Sequence, residues 1–330
     1  MVCLVLTGCG FRSAFVAPDG PGDPARDGSV LVPDAQSDAP VAEPTTCQRR
    51  WLDGTVTLSA PQKLVNQSAA GVTERDPWIS TDQLRLYYAY TPSGGTSDVY
   101  LASRASTAVP FGNGDGNRLV DLNSSNADDG RAALTADETT VVLSSNKVQA
   151  IEFDILLATR EATTADFPTG DTRYLHNVNV SGFQHYDPFL TADGLRLYLA
   201  PVPVISPAIQ HILVATRPDR GSAFAAATPV PGISDGANAD ADPAVSLDER
   251  ILVFTSNRPS GAGGPTRNNL WYATRPDRQH DFGAPTLIPG VNSDNNDGDP
   301  MLSADGCALY FASTRASGND YDLYSAQVAP

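Results

Sequence analysis

Residues 187–200 read DPFLTADGLRLYLA, and the first seven of them recur along the chain. The related segments are DPWISTD (76–82), RAALTAD (131–137), DPAVSLD (242–248) and DPMLSAD (299–305). Their last aspartates, Asp82, Asp137, Asp193, Asp248 and Asp305, are spaced by 55, 56, 55 and 57 residues. So regular a period marks a repeat architecture. Each copy continues with a β-rich run such as LRLYYAY or RILVFTS, a variable loop, a second run such as DVYLASR or NLWYATR, and a Phe before a Pro-containing stretch. Four short strands per unit, here called a to d, with turn residues between them and no helical period, describe one blade of a β-propeller. The expected fold is all-β, a five-bladed propeller of four-stranded antiparallel blades spanning 51–330.

The ring also needs closure, and the fifth copy ends after strand c. Residues 58–66, LSAPQKLVN, match 282–292, FGAPTLIPGVN, in proline spacing and final Asn. The N-terminal strand is therefore expected to pair into the last blade as its strand d, which leaves no open edge. Asp-Gly at 193–194 and 305–306 supplies the positive φ of a tight a–b hairpin, so the five recurrent aspartates read as turn formers. Ala102, Ala158, Ala215, Ala273 and Ala326 recur in strand c, where small side chains let sheets approach. Phe111, Phe167, Phe224 and Phe282 recur near strand d as packing between blades.

The segments DPFLTADGLRLYLAP and DPMLSADGCALYFASTRASGNDYDLYSAQV resemble the TolB-type, WD40-like β-propeller repeat. The resemblance implies the fold and a role as a partner-binding platform; it leaves the ligand open, because one fold hosts many functions. The namesake has six blades and an extra N-terminal domain, whereas this repeat count is five and a spacer takes the domain's place.

Ahead of the repeats, MVCLVLTGCG ends in Leu6-Thr7-Gly8-Cys9, which resembles the bacterial lipobox. That implies a signal segment over 1–9 with Cys9 lipidated; the run is short and lacks a basic n-region, and a chance apolar run is the competing reading. Residues 10–50, rich in Pro, Asp, Ala and Gly, read as a disordered linker holding the propeller off a membrane. The expected location is the bacterial cell envelope, facing the periplasm or outer membrane, with membrane contact only through the lipid. After lipidation Cys47 and Cys307 remain. A disulfide between them is one reading, and two buried thiols are the other.

With a formal net charge of −16, the chain lacks the basic clusters that nucleic-acid binding needs. The loops DLNSSNADDG (121–130), GISDGANADAD (232–242) and GVNSDNNDGD (290–299) form an acidic face on which a protein or a glycan would dock, the chain acting as a monomer. No cofactor is expected apart from Ca²⁺, for which Asn292, Asp294 and Asp297 offer hard oxygen ligands; a solvated loop is the alternative. Ligand-facing candidates are Asp76, Arg131, Asp187, Asp242 and Asp299 at the channel mouth. Arg258 and Arg315 are expected to bridge the last two, with Arg131 balancing Asp76 or Asp187. Enzyme signatures are sparse: there is no Gly-x-Ser-x-Gly elbow, and His176, His185, His211 and His280 lack zinc spacing and read as surface or turn residues. The enzymatic alternative to a binding platform is a glycoside hydrolase using mouth carboxylates about 5 to 9.5 Å apart.

Overall fold

The computed structural model describes residues 43–329 apart from 68–70, 113–117, 150–151, 169–171, 206–208, 235, 261–266 and 317–318. Cys9, the rest of the signal segment and the linker up to residue 42 lie outside the described residues. Five antiparallel sheets follow one another and form a five-bladed β-propeller. Blade 1 holds Val72–Ile79, Arg85–Pro92 and Asp98–Ser103, with an isolated bridge between Tyr100 and Arg118 in place of strand d. Blade 2 holds Asp129–Leu134, Thr140–Gln149, Glu152–Thr159 and Arg173–Tyr174. Blade 3 holds Phe183–Leu190, Arg196–Pro203, Leu213–Thr216 and Thr228–Pro229. Blade 4 holds Asp240–Val245, Ile251–Ser256, Asn269–Thr274 and Thr286–Leu287. Blade 5 holds Asp297–Leu302, Ala308–Ser313 and Asp322–Gln327, and Gln62–Lys63 completes it by pairing with its strand c, as the closure argument requires.

The a–b turns explain the Ser/Thr-x-Asp signature. In every blade the Asp carboxylate accepts from the Ser or Thr hydroxyl two residues before it and from the backbone N–H two residues after it. The next residue takes a positive φ in all five: Gln83, Glu138, Gly194, Glu249 and Gly306. Sequence reading marked only the glycines, yet the left-handed conformation, which costs a non-Gly residue about 1–3 kcal/mol, is held by the turn's hydrogen bonds. The strand c alanines are buried, and each recurrent Phe is buried beneath the guanidinium of Arg104, Arg160, Arg217 or Arg275 at about 4.3–4.5 Å.

Strand a of each blade packs on the blade before it, and the left-handed turn position meets that neighbour. Between blades 1 and 2, Glu138 accepts from Arg85 at 2.6 Å and from the Tyr87 hydroxyl at 2.8 Å, and Arg160 lies 3.8 Å away. Between blades 3 and 4, Glu249 accepts from Arg196 at 3.0 Å, Tyr198 at 3.4 Å and Arg275 at 3.3 Å. Burial and then the neighbouring glutamate push Tyr87 and Tyr198 up to about 12, so both phenols stay donors.

The linker boundary moves. Residues 46–50, expected as disordered spacer, belong to a helix, Thr46–Leu52. Thr45 and Gln48 form a capping box, and Trp51 is fully buried with its Nε1 donating to the Gly306 carbonyl at 3.0 Å. Gln48 donates to the Ala304 carbonyl, and Cys47 is disulfide-bonded to Cys307, so the helix seals the joint of blades 4 and 5. Among the described residues no helix is long and apolar enough to cross a membrane.

Candidate functional site at the channel mouth

The Asp-Pro dipeptides sit inside strand a at a bulge, and not at its start. The a–b register shifts at this point in each blade, and Asp76, Arg131, Asp187, Asp242 and Asp299 all take φ between 50° and 57°. The chemistry fits the position. A bulge leaves a residue outside the ladder, where a proline's missing N–H costs nothing. The residue before proline is pushed out of the right-handed helical region, and aspartate tolerates the left-handed one. Five bulges in register aim five side chains at the axis, where they line one cavity of about 50 Å³.

Within this ring the charges are unevenly paired. Arg75 donates to both carboxylate oxygens of Asp299 at 2.8 Å. Arg131, in the position aspartate holds elsewhere, donates to Asp187 at 2.7 Å and stands 3.9 Å from Asp76. Its guanidinium lies over the Tyr186 ring, and that of Arg75 lies over Tyr321. Asp242 accepts the backbone N–H of Asp299 at 3.2 Å. The site thus holds four carboxyl groups and two guanidinium groups. Burial, followed by the charge of Asp299, pushes Asp76 up to about 7. Burial and the charges of Asp187 and Asp299 push Asp242 well up. Although burial opposes it, the Arg75 charge and hydrogen bond hold Asp299 down.

A side chain further along strand a closes the floor. Trp78, Phe189 and Met301 border the polar cavity on one side and a smaller apolar cavity of about 30 Å³ on the other. The cavity has room for a few water molecules, since each needs about 10–15 Å³.

Three site expectations are corrected. Arg258 and Arg315 do not bridge Asp242 and Asp299. They pair with Asp240 and Asp297, two residues earlier, because those side chains point away from the axis into the loop. The metal set does not converge. Asn292 is spent on the Leu270 backbone, accepting its N–H at 2.7 Å, and Asp297 is fully buried under Ser293 N–H, the Ser313 hydroxyl and Arg315. Asp294 stands in solvent 3.7 Å from Arg267. Among the described residues, no three His, Cys, Asp or Glu side chains are grouped to hold a metal ion.

His185, expected at the surface, is buried in strand a of blade 3. It occupies the place of Asp129, Asp240 and Asp297, and its Nε2 accepts the Val180 N–H at 3.0 Å as Asp129 accepts that of Ser124. Burial lowers it to about 4, so it is neutral with its proton on Nδ1. Sequence reading missed Arg75, which precedes an Asp-Pro and has no arginine counterpart in the other blades; that lone departure from the repeat was the available signal.

No protein-family model matches the chain, and no curated protein matches it. Solved structures do. A glycoside hydrolase aligns with TM-score 0.57 at 12% identity over 86% of this chain and 96% of its own. A thermostable family-43 glycoside hydrolase aligns with TM-score 0.53 at 14% identity over 79% and 90%. A TolB protein from Agrobacterium tumefaciens aligns with TM-score 0.46 at 17% identity over 77% and 83%. The two hydrolase likenesses agree with the propeller fold and show nothing finer.

Proposed function

We propose that the chain is a non-catalytic binding module of the cell envelope, presenting its channel-mouth face to a glycan or a protein partner. The carrying observation is how the mouth carboxylates are spent. Asp299 is clamped by Arg75, Asp187 is bonded to Arg131, and Asp242 accepts the Asp299 backbone N–H. A glycosidase needs one carboxyl free to donate a proton and a second about 5 to 9.5 Å away with a sugar between them. Asp242 and Asp299 are in contact, in a cavity of about 50 Å³.

The cell-envelope reading draws on the lipobox-like Leu6–Cys9 and on the Cys47–Cys307 disulfide, which suits an oxidising compartment. Polar oxygens on the loops of this face suit direct hydrogen bonding to hydroxyl-rich glycans. One observation favours the hydrolase reading: Asp76, raised to about 7, would be a protonated acid at neutral pH.

A glycan array probed with the propeller, with Ca²⁺ and with a chelator, tests the proposal, followed by reducing-sugar release from every hit. Binding without turnover, weakened by Asp242→Asn, is the expected result. Turnover abolished by Asp76→Asn would replace it with the hydrolase.

A further inference from the structure

The turn position at the joints between blades holds Gln83, Glu138, Gly194, Glu249 or Gly306, so a glutamate stands there at two joints, and the joint of blades 2 and 3 is one that lacks it. Blades 3 and 4 both carry ATRPDR after strand c, at 215–220 and 273–278. In blade 4 the two arginines of that segment, Arg275 and Arg278, lie 3.3 and 3.4 Å from Glu249. In blade 3 the corresponding Arg217 and Arg220 remain, and Arg220 pairs with Asp137 at 2.6 Å, but the glutamate's place is taken by Gly194. Strand b of blade 2 offers Thr140 and Val142 where blades 1 and 3 offer the arginine and tyrosine that share the glutamate.

The consequence is visible on Arg217, which is 7% exposed. Its Nε donates to the Gly194 carbonyl at 2.7 Å and its Nη1 to the Arg220 carbonyl at 2.9 Å, whereas among the described residues its Nη2 is buried with no acceptor. Nη2 lies 3.3 Å from the point where a Cβ on Gly194 would stand, so the guanidinium faces the root of the missing side chain. A groove of about 310 Å³ opens beside it, lined by Arg173, His176, Arg217, Ser222 and Phe224 among others, with no Asp or Glu in its lining. That absence is unusual on a chain of net charge −16. An orphaned buried donor costs free energy that a bound acceptor would recover.

The joint of blades 4 and 5 also carries a glycine, Gly306, at the turn position. There the chain fills the gap itself: Gln48 lies against Gly306, and Trp51 donates to its carbonyl. At Gly194 the neighbours are Thr135, Arg220 and Arg217, at 3.0, 3.2 and 3.3 Å from the point where its Cβ would stand, and among the described residues none gives Arg217 Nη2 an acceptor.

We propose that this joint is an oxyanion site, in which a carboxylate or phosphate group of a ligand takes the place that Glu138 and Glu249 fill in the other joints. It lies at the other end of strand a from the mouth ring, so it stands or falls separately from the reading of the mouth.

The deciding experiment is thermal unfolding in sodium phosphate and in sodium acetate, each against sodium chloride at equal ionic strength, with the anion titrated to saturation. A saturable rise in midpoint with phosphate assigns the site to phosphate groups, and one with acetate to carboxylates. Gly194→Glu should unfold at a higher temperature without added anion and lose the saturable rise. That variant takes a left-handed position that Glu138 and Glu249 also hold, and it needs Thr135 and the two arginine side chains to give by a few tenths of an ångström; Arg217→Lys tests the site without that demand. Arg217→Lys, which keeps the charge and loses Nη2, should reduce the rise, and Asp242→Asn at the mouth should leave it unchanged. Equal midpoints in all three salts, or a saturable rise that Gly194→Glu retains, would overturn the proposal.

Discussion

Two joints of the ring solve one packing problem by opposite means. Between blades 3 and 4 a buried carboxylate, Glu249, gathers arginines and a tyrosine from both blades. Between blades 4 and 5 no carboxylate is present, and a helix from outside the repeats brings an indole, an amide and a disulfide instead. The first joint is made by residues that recur with the repeat. The second is made by residues 45–51, which appear once. A glycine at the turn position therefore has no fixed meaning: its effect depends on what else the chain places beside it.

The comparison is best broken at Trp51, which is fully buried and packs edge-on against Tyr272 at 5.2 Å. Trp51→Ala should cost about 4 kcal/mol, measured by urea unfolding of the oxidised protein. Removing the disulfide as Cys47→Ser with Cys307→Ser should cost about 2–5 kcal/mol, since the bond spans 260 residues. A loss below about 1 kcal/mol for Trp51→Ala would show that the helix decorates this joint and does not hold it.

Glu249→Ala attacks the other joint. It leaves Arg275, whose side chain is 10% exposed, and the partly exposed Arg196 facing one another without that anion, while Arg278 keeps Asp193 at 3.5 Å. Stranding charges in this way costs about 3 kcal/mol, discounted on Arg196, which solvent reaches. Glu138→Ala should match it, because Arg85, Tyr87 and Arg160 repeat the arrangement. Unequal losses would mean that Arg278, which has no counterpart around Glu138, carries weight of its own.

Most of the architecture was legible because a repeat states each element five times. The blade count, the a–b turns and the closing strand all rest on patterns that chance does not reproduce. The helix escaped for the opposite reason: TTCQRRWL occurs once, and its capping box, Thr45 with Gln48, was hidden in a segment whose composition suggested a spacer. The mouth was half legible. Asp-Pro announced a special backbone position, yet the pattern alone does not distinguish an aspartate that points to the axis, such as Asp299, from one two residues earlier that Arg315 buries in a loop. That distinction comes from the bulge, which shifts the alternation of side chains by one residue. The apparent acidity of the loops was misleading for the same reason, since Asp129, Asp240 and Asp297 are buried structural acceptors.

Where the joints pair their charges, the mouth does not, and pH separates the two. Asp76 has a folded-state value of about 7 against an ordinary 3.8, so the native state keeps a proton that the unfolded chain releases. Its contribution to stability is full below about pH 4 and is lost as pH rises through about 7. Asp76→Asn, which cannot ionise and suits the left-handed backbone, should therefore gain up to about 4 kcal/mol relative to the parent at pH 8 and nothing at pH 4. Unfolding midpoints across that range give the test. A constant difference between the two proteins would place the ionisation elsewhere in the ring.

The smallest effect is expected at Asp294, the one member of the acidic loop trio that the fold leaves in solvent. Asn292 and Asp297 are held by backbone and by Arg315, so a cation could recruit them only by breaking bonds that the blade uses. Asp294→Asn should then leave the unfolding midpoint unchanged, with or without Ca²⁺. A Ca²⁺-dependent rise in the parent that this variant loses would show that the loop rearranges around a cation, and that its structural bonds are weaker than the ones that hold the joints.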